Sequence, residues 1–505
     1  MVRYAAKSWT VAQATWSLTA PLAPKVFDSM SAAPFPHLYV DLDGTLIATD
    51  MLHESSLVLL RGSPITVLQF PAWLLHGKAF LKRQIAQRVN VDPAALPYRA
   101  GVLEIIRQAR EQHQRVVLAT ATDELLASSV AKHLGVFDHV IASDGTHNLS
   151  GQRKLDAIRA DAAGQPFCYV GNDHVDVTVW EGAQSAVVVS NSHSLRRRVR
   201  GCTHVVAEVD VPKPSLRDLL YGIRLHQWLK NLLVFVPLLP IMNEVTASMA
   251  LAAFWMFLAF GLCASAIYVF NDLLDLESDR QHHRKKRRPF ASGVIPIPNA
   301  FVLSLGLLFA GIALAVATLP LVALGVLLGY VVLTSLYSIW LKRRMLVDVF
   351  ALAALYTVRI LAGGAATQVE PSFWLLGFSM FMFLSLALAK RYVEIGELRA
   401  NGRTEIRGRA YAATDDMFVL AAGLAAGQLS ILTLSLYLND PAGAQRYAHP
   451  YVLWLLCPML LYWLVRVWLK AHRGELHDDP VVFAATDRIS QLIIIICVAL
   501  VYMAL

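Results

Sequence analysis

Residues 271–280 read Asn271-Asp272-Leu273-Leu274-Asp275-Leu276-Glu277-Ser278-Asp279-Arg280. They follow an apolar run over 248–270 that is long enough to cross a bilayer. A dense basic cluster comes next: Arg284, Lys285, Lys286, Arg287 and Arg288. If the helix continues past Phe270, Asp272, Asp275 and Asp279 fall at i, i+3 and i+7, on one helical face. Carboxylates grouped in this way repel one another unless a cation lies between them, and Mg²⁺ bridging carboxylates to a substrate phosphate is the usual solution. The adjacent cations suit the rest of a diphosphate. A solvated loop between membrane helices needs neither this spacing nor carboxylates set against a span.

Working outward, the chain has 505 residues, 56% hydrophobic and only 16% charged, with a mean hydropathy of +0.48. The distribution is uneven: the first two hundred residues, roughly, have soluble composition, and the apolar runs begin near Leu225. The net charge of +8 does not point to nucleic acid, because the basic residues gather in loops between spans, where orientation and anionic phosphate explain them. Five scattered cysteines without a CxxC pair imply neither a disulfide framework nor a zinc site.

Residues 1–36 are expected to be a disordered leader; the stretch has Arg3 and Lys7 but no apolar core, so it is a poor signal peptide, and Met30 is an alternative start. Residues 37–205 alternate strands and helices, which predicts an α/β Rossmann-like domain with a mostly parallel sheet. Strands are expected over 38–40, 116–119, 167–170 and 186–189, with a helix over 151–162 and a helical cap over 51–96. The first strand runs into Asp41-Leu42-Asp43-Gly44-Thr45, the second ends at Thr120, the helix carries Lys154, and the next strand ends in Gly171-Asn172-Asp173-His174-Val175-Asp176. Acidic residues at the carboxyl ends of parallel strands face the crevice where such sheets bind ligands.

DxDGT after a strand, followed in order by Thr120, Lys154 and the acidic cluster, resembles the haloacid dehalogenase (HAD) superfamily of phosphatases over the whole soluble half. The resemblance implies that Asp41 attacks a phosphate, that Asp43 protonates the leaving oxygen and then activates water, and that Thr120 and Lys154 bind phosphoryl oxygens. It also implies Mg²⁺ held by Asp41, Asp43, Asp173 and Asp176. The family usually has Gly-Asp where this chain has Gly171-Asn172, a departure that bears on metal binding. A docking or regulatory module is the alternative reading of this half.

A linker with Pro212 and Pro214 is expected over 206–216, and an all-α polytopic membrane bundle over 217–505. Apolar runs over 225–242, 248–270, 300–319, 321–340, 346–366, 373–389, 417–438, 451–469 and 489–505 give about nine spans, the first interrupted by Pro237 and Pro240. Alternate loops are basic: Arg280 with Arg284–Arg288, then Lys342, Arg343 and Arg344, then Lys390, Arg391, Arg399, Arg403, Arg407 and Arg409, then Lys470 and Arg473. The intervening loops hold little beyond Arg446. The positive-inside rule then places the basic loops and the soluble half on the cytoplasmic side of the inner membrane.

Four polar elements meet that face: Arg224, Gln227, Lys230 and Asn231; Asn271 through Arg288; Tyr337, Lys342 and Asp348, with Arg359 on the same helix; and Lys390, Arg391 and Glu394. Asp478, Asp479, Asp487 and Arg488 read as interfacial residues beside the last span.

The NDxxDxxxD stretch in such a bundle resembles the UbiA superfamily of intramembrane prenyltransferases. Ordinary members carry a second DxxxD, but Asp348 here has Leu352 four residues on. Other details resemble the decaprenyl-phosphate phosphoribosyltransferase branch. Its RPxQWxKN pattern is met by Arg224, Gln227, Trp228, Lys230 and Asn231, its DRxHPxKRxRP pattern by Asp279, Arg280, His282, Lys285, Lys286, Arg288 and Pro289, and its KRYxE pattern by Lys390, Arg391, Tyr392 and Glu394. Leu225 and His283 stand where that branch has proline. The resemblance implies phosphoribosyl diphosphate as donor and a polyprenyl phosphate as acceptor. Asp272, Asp275 and Asp279 would hold Mg²⁺, and Asn271, Tyr337, Lys342, Arg359 and the basic residues would bind substrate. The fused HAD domain would then remove the 5-phosphate of the product. The alternatives are an ordinary prenyltransferase acting on an aromatic acceptor, with a regulatory HAD domain, and a transporter or scaffold.

Overall fold

In a computed structural model the chain is described over residues 35–400, 411–440, 447–476 and 479–505. Most of the expected leader, with Arg3, Lys7 and Met30, lies outside the described residues, as do Arg403, Arg407, Arg409, Arg446 and Asp478. The chain divides into two compact units at Pro212 and Lys213.

The first unit is built on a six-stranded, all-parallel sheet: β1 (His37–Val40), β2 (Arg115–Asp123), β3 (His139–Ser143), β4 (Phe167–Gly171), β5 (Ser185–Val189) and β6 (His204–Val209). The spatial order is β3-β2-β1-β4-β5-β6. The order reverses at β1, so the carboxyl ends of β1, β2 and β4 border the crevice that a doubly wound sheet opens for ligands. β1 is central and apolar on both faces, with Leu38, Tyr39 and Val40 fully buried. The expected linker begins too early: Val205, Val206 and Val209 are β-branched and supply an edge strand paired to β5, so the sheet runs past residue 205. Between β1 and β2 the chain forms a helical cap with α1 (Met51–Gly62), a 3₁₀ and α-helical segment over Pro64–Leu75, and α2 (Lys78–Ala86). Trp73, Leu59, Leu81 and Ile85 make the cap its own small core. Helix α3 (Gln152–Ala162) carries Lys154 toward the crevice.

The second unit is helical: α4 (Ala247–Leu274), α5 (Leu276–Gln281), α6 (Ile297–Thr318), α7 (Leu321–Ile339), α8 (Val347–Thr367), α9 (Phe373–Ala400), α10 (Asp416–Asn439), α11 (Leu456–His472), α12 (Pro480–Thr486) and α13 (Arg488–Ala504). Among the described residues eight segments are long and apolar enough to cross a membrane, and nine if α12 and α13, bent by 80°, count as one. The first candidate, Leu225–Glu244, winds in tight 3₁₀ turns. Pro237 and Pro240 each remove a backbone donor and clash with the preceding turn, which forbids a straight α-helix there. This irregular segment packs against α8, where a Cβ on Gly363 would lie 1.9 Å from the Val234 carbonyl oxygen. Only glycine permits that backbone contact, and it sets the depth at which the residues before Val234 enter the bundle.

Candidate active sites

In the first unit β1 delivers Asp41 to the crevice, and the Asp41 N–H continues the sheet by donating to Val170 O at 3.0 Å. The chain then turns tightly through Leu42–Leu46, with Gly44 at φ +69°, a left-handed conformation that favours glycine. A Cβ at Gly44 would also lie 2.3 Å from the Asn172 side chain. Asp41 is 6% exposed. Its Oδ1 accepts from Lys154 Nζ at 2.9 Å and its Oδ2 from Thr45 Oγ1 at 3.2 Å. Asp43 accepts from the Met51 N–H at 2.8 Å and from Thr122 Oγ1 at 2.5 Å. Sequence reading missed Thr122, because the spacing alone does not tell which threonine at the end of β2 faces Asp43. Thr120 is fully buried, and its Oγ1 accepts from the Thr122 N–H at 3.0 Å.

Burial pushes Asp41 up to about 6, with the Asp176 charge adding and Lys154 opposing. Burial pushes Asp43 up to about 7, and the Asp50 and Asp41 charges raise it further. Burial works against the Lys154 charge, but Asp41 and Asp176 outweigh it and keep the ammonium well above its ordinary range. Both carboxyls are raised, Asp43 the more, so of the pair Asp43 is the one that holds a proton more readily.

Asp176, expected as a metal ligand, has both oxygens engaged instead. Oδ1 accepts from Tyr169 OH at 2.8 Å and Lys154 Nζ at 3.3 Å, and Oδ2 from the Asn172 and Asp173 N–H groups at 3.1 and 3.2 Å. It positions Lys154, with Tyr169 OH as a third partner of that ammonium at 2.9 Å. Asp173 is exposed and accepts from the His174 N–H. Asn172 Oδ1 accepts from Thr45 Oγ1 at 3.0 Å, which ties β4 to the turn after β1.

In the second unit Asp272, Asp275 and Asp279 do not share one helical face. Helix α4 ends at Leu274, and Asp275 (φ −99°, ψ 11°) starts α5. Asp272 and Asp279 are 5% and 3% exposed, not set at a watery edge. Arg288 Nη1 joins them, at 3.1 Å from Asp272 Oδ1 and 2.6 Å from Asp279 Oδ2. Arg224 pairs with Asp272 as well, and Lys285 Nζ lies 3.9 Å from Asp279. Asp275 turns away to Lys342, at 3.5 Å. Asn271 donates to Ser338 Oγ at 2.8 Å, which links α4 to α7, and Arg280 donates to Ala291 O at 2.8 Å. His282 accepts at Nδ1 from the Arg284 N–H and is exposed.

A second cluster gathers on Asp479. Lys230 Nζ and Lys390 Nζ reach Asp479 Oδ2 at 2.7 and 3.1 Å, and Tyr356 OH donates to the same carboxylate at 2.9 Å. Asp479 is therefore a buried member of the site and not an interfacial residue; its position beside the last span gave no sign of this. Asn231 Oδ1 accepts from Arg359 Nε at 3.1 Å, and its buried Nδ2 has no partner among the described residues. The Arg359 guanidinium lies 5.1, 5.2 and 5.7 Å from the rings of Phe260, Tyr330 and Tyr356, a desolvated cation held by aromatic faces. Tyr268 links the clusters, with Arg224 at 5.3 Å over its ring and Lys230 and Arg359 in electrostatic reach. Gln227 takes part through its N–H, which donates to Arg224 O at 2.8 Å.

Arg391 is fully buried in a closed network: Nε donates to Asp348 Oδ2 at 2.7 Å, Nη2 to Tyr337 OH at 3.1 Å, and Nη1 pairs with Glu394. Tyr411 OH closes the other side of Asp348 at 2.6 Å. Arg391 and Tyr337, expected to bind substrate, join α7, α8 and α9 to one another.

Among the described residues no three acidic, histidine or cysteine side chains converge into a metal cage. Mg²⁺ is commonly held by one or two carboxylates together with substrate phosphate and water, and the hard oxygen donors of Asp272 and Asp279, and of Asp41 with the Asn172 amide, fit that habit.

A two-unit chain of this kind, an α/β hydrolase-like domain ahead of a polytopic bundle with buried acid–base clusters, defines a membrane-bound transferase with a fused HAD-like domain. The chain belongs to the UbiA prenyltransferase family, whose model matches residues 241–503, and the model of the haloacid dehalogenase-like hydrolases matches residues 38–179. It is 39% identical to the uncharacterized protein y4nM of Sinorhizobium fredii over 461 residues, 90% of this chain and 88% of that one. Similarity to the nodulation protein NoeC of Azorhizobium caulinodans is 35% over 278 residues, 55% of this chain and 89% of that one. The decaprenyl-phosphate phosphoribosyltransferase of Mycobacterium tuberculosis is 33% identical over 192 residues, 36% of this chain and 62% of that one.

Proposed function

We propose that the membrane half transfers phosphoribose from phosphoribosyl diphosphate to a polyprenyl phosphate at the cytoplasmic face of the inner membrane, and that the HAD domain then removes the 5-phosphate. The observation that carries this reading is the pair of neighbouring anion-binding clusters. Arg224 and Arg288 lie at the carboxylates of Asp272 and Asp279, while Lys230, Lys390 and Tyr356 converge on Asp479. Two phosphorylated substrates need two such sites, and the likeness to decaprenyl-phosphate phosphoribosyltransferases supports the assignment.

In the transfer, an oxygen of the acceptor phosphate attacks the anomeric carbon of the ribose as the bond from that carbon to the diphosphate breaks. Asp272 and Asp279 would hold Mg²⁺, which supplies charge neutralisation to the leaving diphosphate. Arg224, Arg288 and Lys285 bind the same oxygens. Lys230 and Lys390, released from Asp479, bind the acceptor phosphate, and Arg359 fixes the Asn231 amide beside it. Charge placed in advance in a dry site supplies most of the catalysis. In the HAD domain Asp41 attacks phosphorus, Lys154 binds the phosphoryl oxygens, Asp43 protonates the departing ribose oxygen, and water then hydrolyses the aspartyl phosphate.

The rival reaction, prenyl transfer from a diphosphate to an aromatic acceptor, is disfavoured by Asp348. This carboxylate is fully buried and bonded to Arg391 and Tyr411, so it does not present a second acidic motif to a ligand. Membranes containing the protein, given labelled phosphoribosyl diphosphate and a polyprenyl phosphate, are expected to yield labelled lipid. Labelled product only from a prenyl diphosphate and an aromatic acceptor would overturn the assignment.

A further inference from the structure

The outer face of the HAD cap is apolar where a soluble helix would be polar. In Pro64–Leu75, Phe70 and Trp73 turn into the cap core. On the other side Ile65, Leu68, Leu74 and Leu75 are 78%, 79%, 50% and 88% exposed. Ile65, Leu68, Ala72 and Leu75 fall at i, i+3, i+7 and i+10, a second apolar stripe that nothing in the domain covers.

The charge around the stripe is one-sided. No aspartate or glutamate stands between Glu54 and Asp92, while Arg61, Lys78, Lys82, Arg83 and Arg88 fall in that interval. Lys82 and Arg83 face the domain, donating to Ala121 O at 2.6 Å and to Asp123 Oδ1 at 3.2 Å. Arg61 and Lys78 are exposed at the two ends of the apolar segment. An exposed apolar stripe with basic flanks and no acid matches the chemistry of an anionic bilayer surface, where apolar side chains enter the acyl boundary and cations meet the headgroups. The same chain carries helices long and apolar enough to cross a membrane, so a lipid surface is part of its surroundings.

We propose that the Pro64–Leu75 face of the cap docks on an anionic lipid leaflet, with Ile65, Leu68, Leu74 and Leu75 entering the acyl boundary. Helix α2 is fixed to the end of β2 through Lys82 and Arg83, so docking presents the catalytic crevice to a phosphate borne on a lipid. The docking itself rests on family membership and surface chemistry, and it stands whether or not the domain is a phosphatase.

The test uses the full chain, one copy per lipid nanodisc, with Cys202→Ser removing the exposed native thiol. A fluorophore is attached at Leu75→Cys and, as a control, at the exposed position Ala160→Cys on α3. Discs contain phosphatidylcholine alone or with phosphatidylglycerol, each doped with nitroxide-labelled lipid. Severalfold stronger quenching at position 75 than at 160 is expected in the anionic discs, falling toward the control when Leu68→Glu and Leu74→Glu are added. Equal quenching at both positions in the anionic discs overturns the proposal. A label at 75 that is shielded without lipid quenching, and only with two copies per disc, overturns it in favour of a protein partner.

Discussion

Lys230 and Asp479 lie 249 residues apart in sequence and meet at 2.7 Å, both buried. The pair ties the 3₁₀ segment before Val234 to the start of α12, and Lys390 on α9 shares the same carboxylate oxygen. In the proposed reaction the acceptor phosphate takes the place of this carboxylate, which lies between two ammonium groups and a tyrosine hydroxyl. Removing it leaves buried charge uncompensated. Asp479→Ala is expected to lower stability by about 3–5 kcal/mol, the usual cost of breaking a buried pair from one side. Thermal unfolding in detergent measures this, and added polyprenyl phosphate should raise Tm more in the variant than in the parent.

Asp272 and Asp275 are expected to differ. Asp272 is buried between Arg224 and Arg288, whereas Asp275 is half-exposed and among the described residues forms an ion pair with Lys342. Asp272→Asn should reduce kcat of transfer by about 10²–10³, the scale for losing one preorganised electrostatic group. Asp275→Asn should cost less and act mainly on KM for the diphosphate donor. Steady-state kinetics at saturating Mg²⁺ separate the two, and near-parental turnover of Asp272→Asn would remove it from the site.

Asp43 gives the proposed hydrolytic step a pH dependence of definite sign. Its carboxyl is raised from 3.8 to about 7, chiefly by burial, so the protonated form is present below that value and lost above it. Formation of the dephosphorylated lipid should therefore decline as pH rises past about 7 in the pre-steady-state burst, where leaving-group protonation is observed and the phosphate is still held on Asp41. A raised carboxyl also means that the folded domain binds its proton more tightly than the unfolded chain. Its contribution to stability without metal is full below about pH 4 and is lost as pH rises through about 7.

Asp41→Asn should separate the two activities. The amide cannot attack phosphorus, so dephosphorylation stops, while transfer in the other unit continues. Mass spectrometry of the lipid product is expected to show the 5-phosphorylated form accumulating only in the variant. The same phosphorylated lipid from both proteins would remove the phosphatase assignment and leave the transferase intact.

Gly363→Ala should be poorly tolerated, because its Cβ would meet the Val234 backbone, whereas Gly325→Ala and Gly329→Ala have open space around them. A loss of about 1–3 kcal/mol is expected at Gly363, in the range of overpacking, with little effect at the other two. Detergent-resistant folding, followed by thermal unfolding, is the measurement.

The sequence by itself determined what local chemistry decides. DxDGT after an apolar strand fixed Asp41 and Asp43 at the mouth of a parallel sheet, and nine apolar runs gave the bundle and its basic loops. Motifs also named Arg224, Lys230, Asn231, Asp272, Asp279, Arg288 and Lys390, and a charge inside an apolar run named Arg359. What the tertiary structure alone decided is which of these face one another. Helical spacing put Asp275 with Asp272 and Asp279, but the break after Leu274 turned it to Lys342. Arg391 and Asp348 carry the same charges as ligand-binding groups, yet they satisfy each other. Asp479, one of two adjacent aspartates beside the last span, becomes the partner of Lys230 only through tertiary packing. Charge and period are written in neighbouring residues. A buried ion pair is a choice among partners far apart in the chain, settled by which arrangement leaves no charge uncompensated away from water.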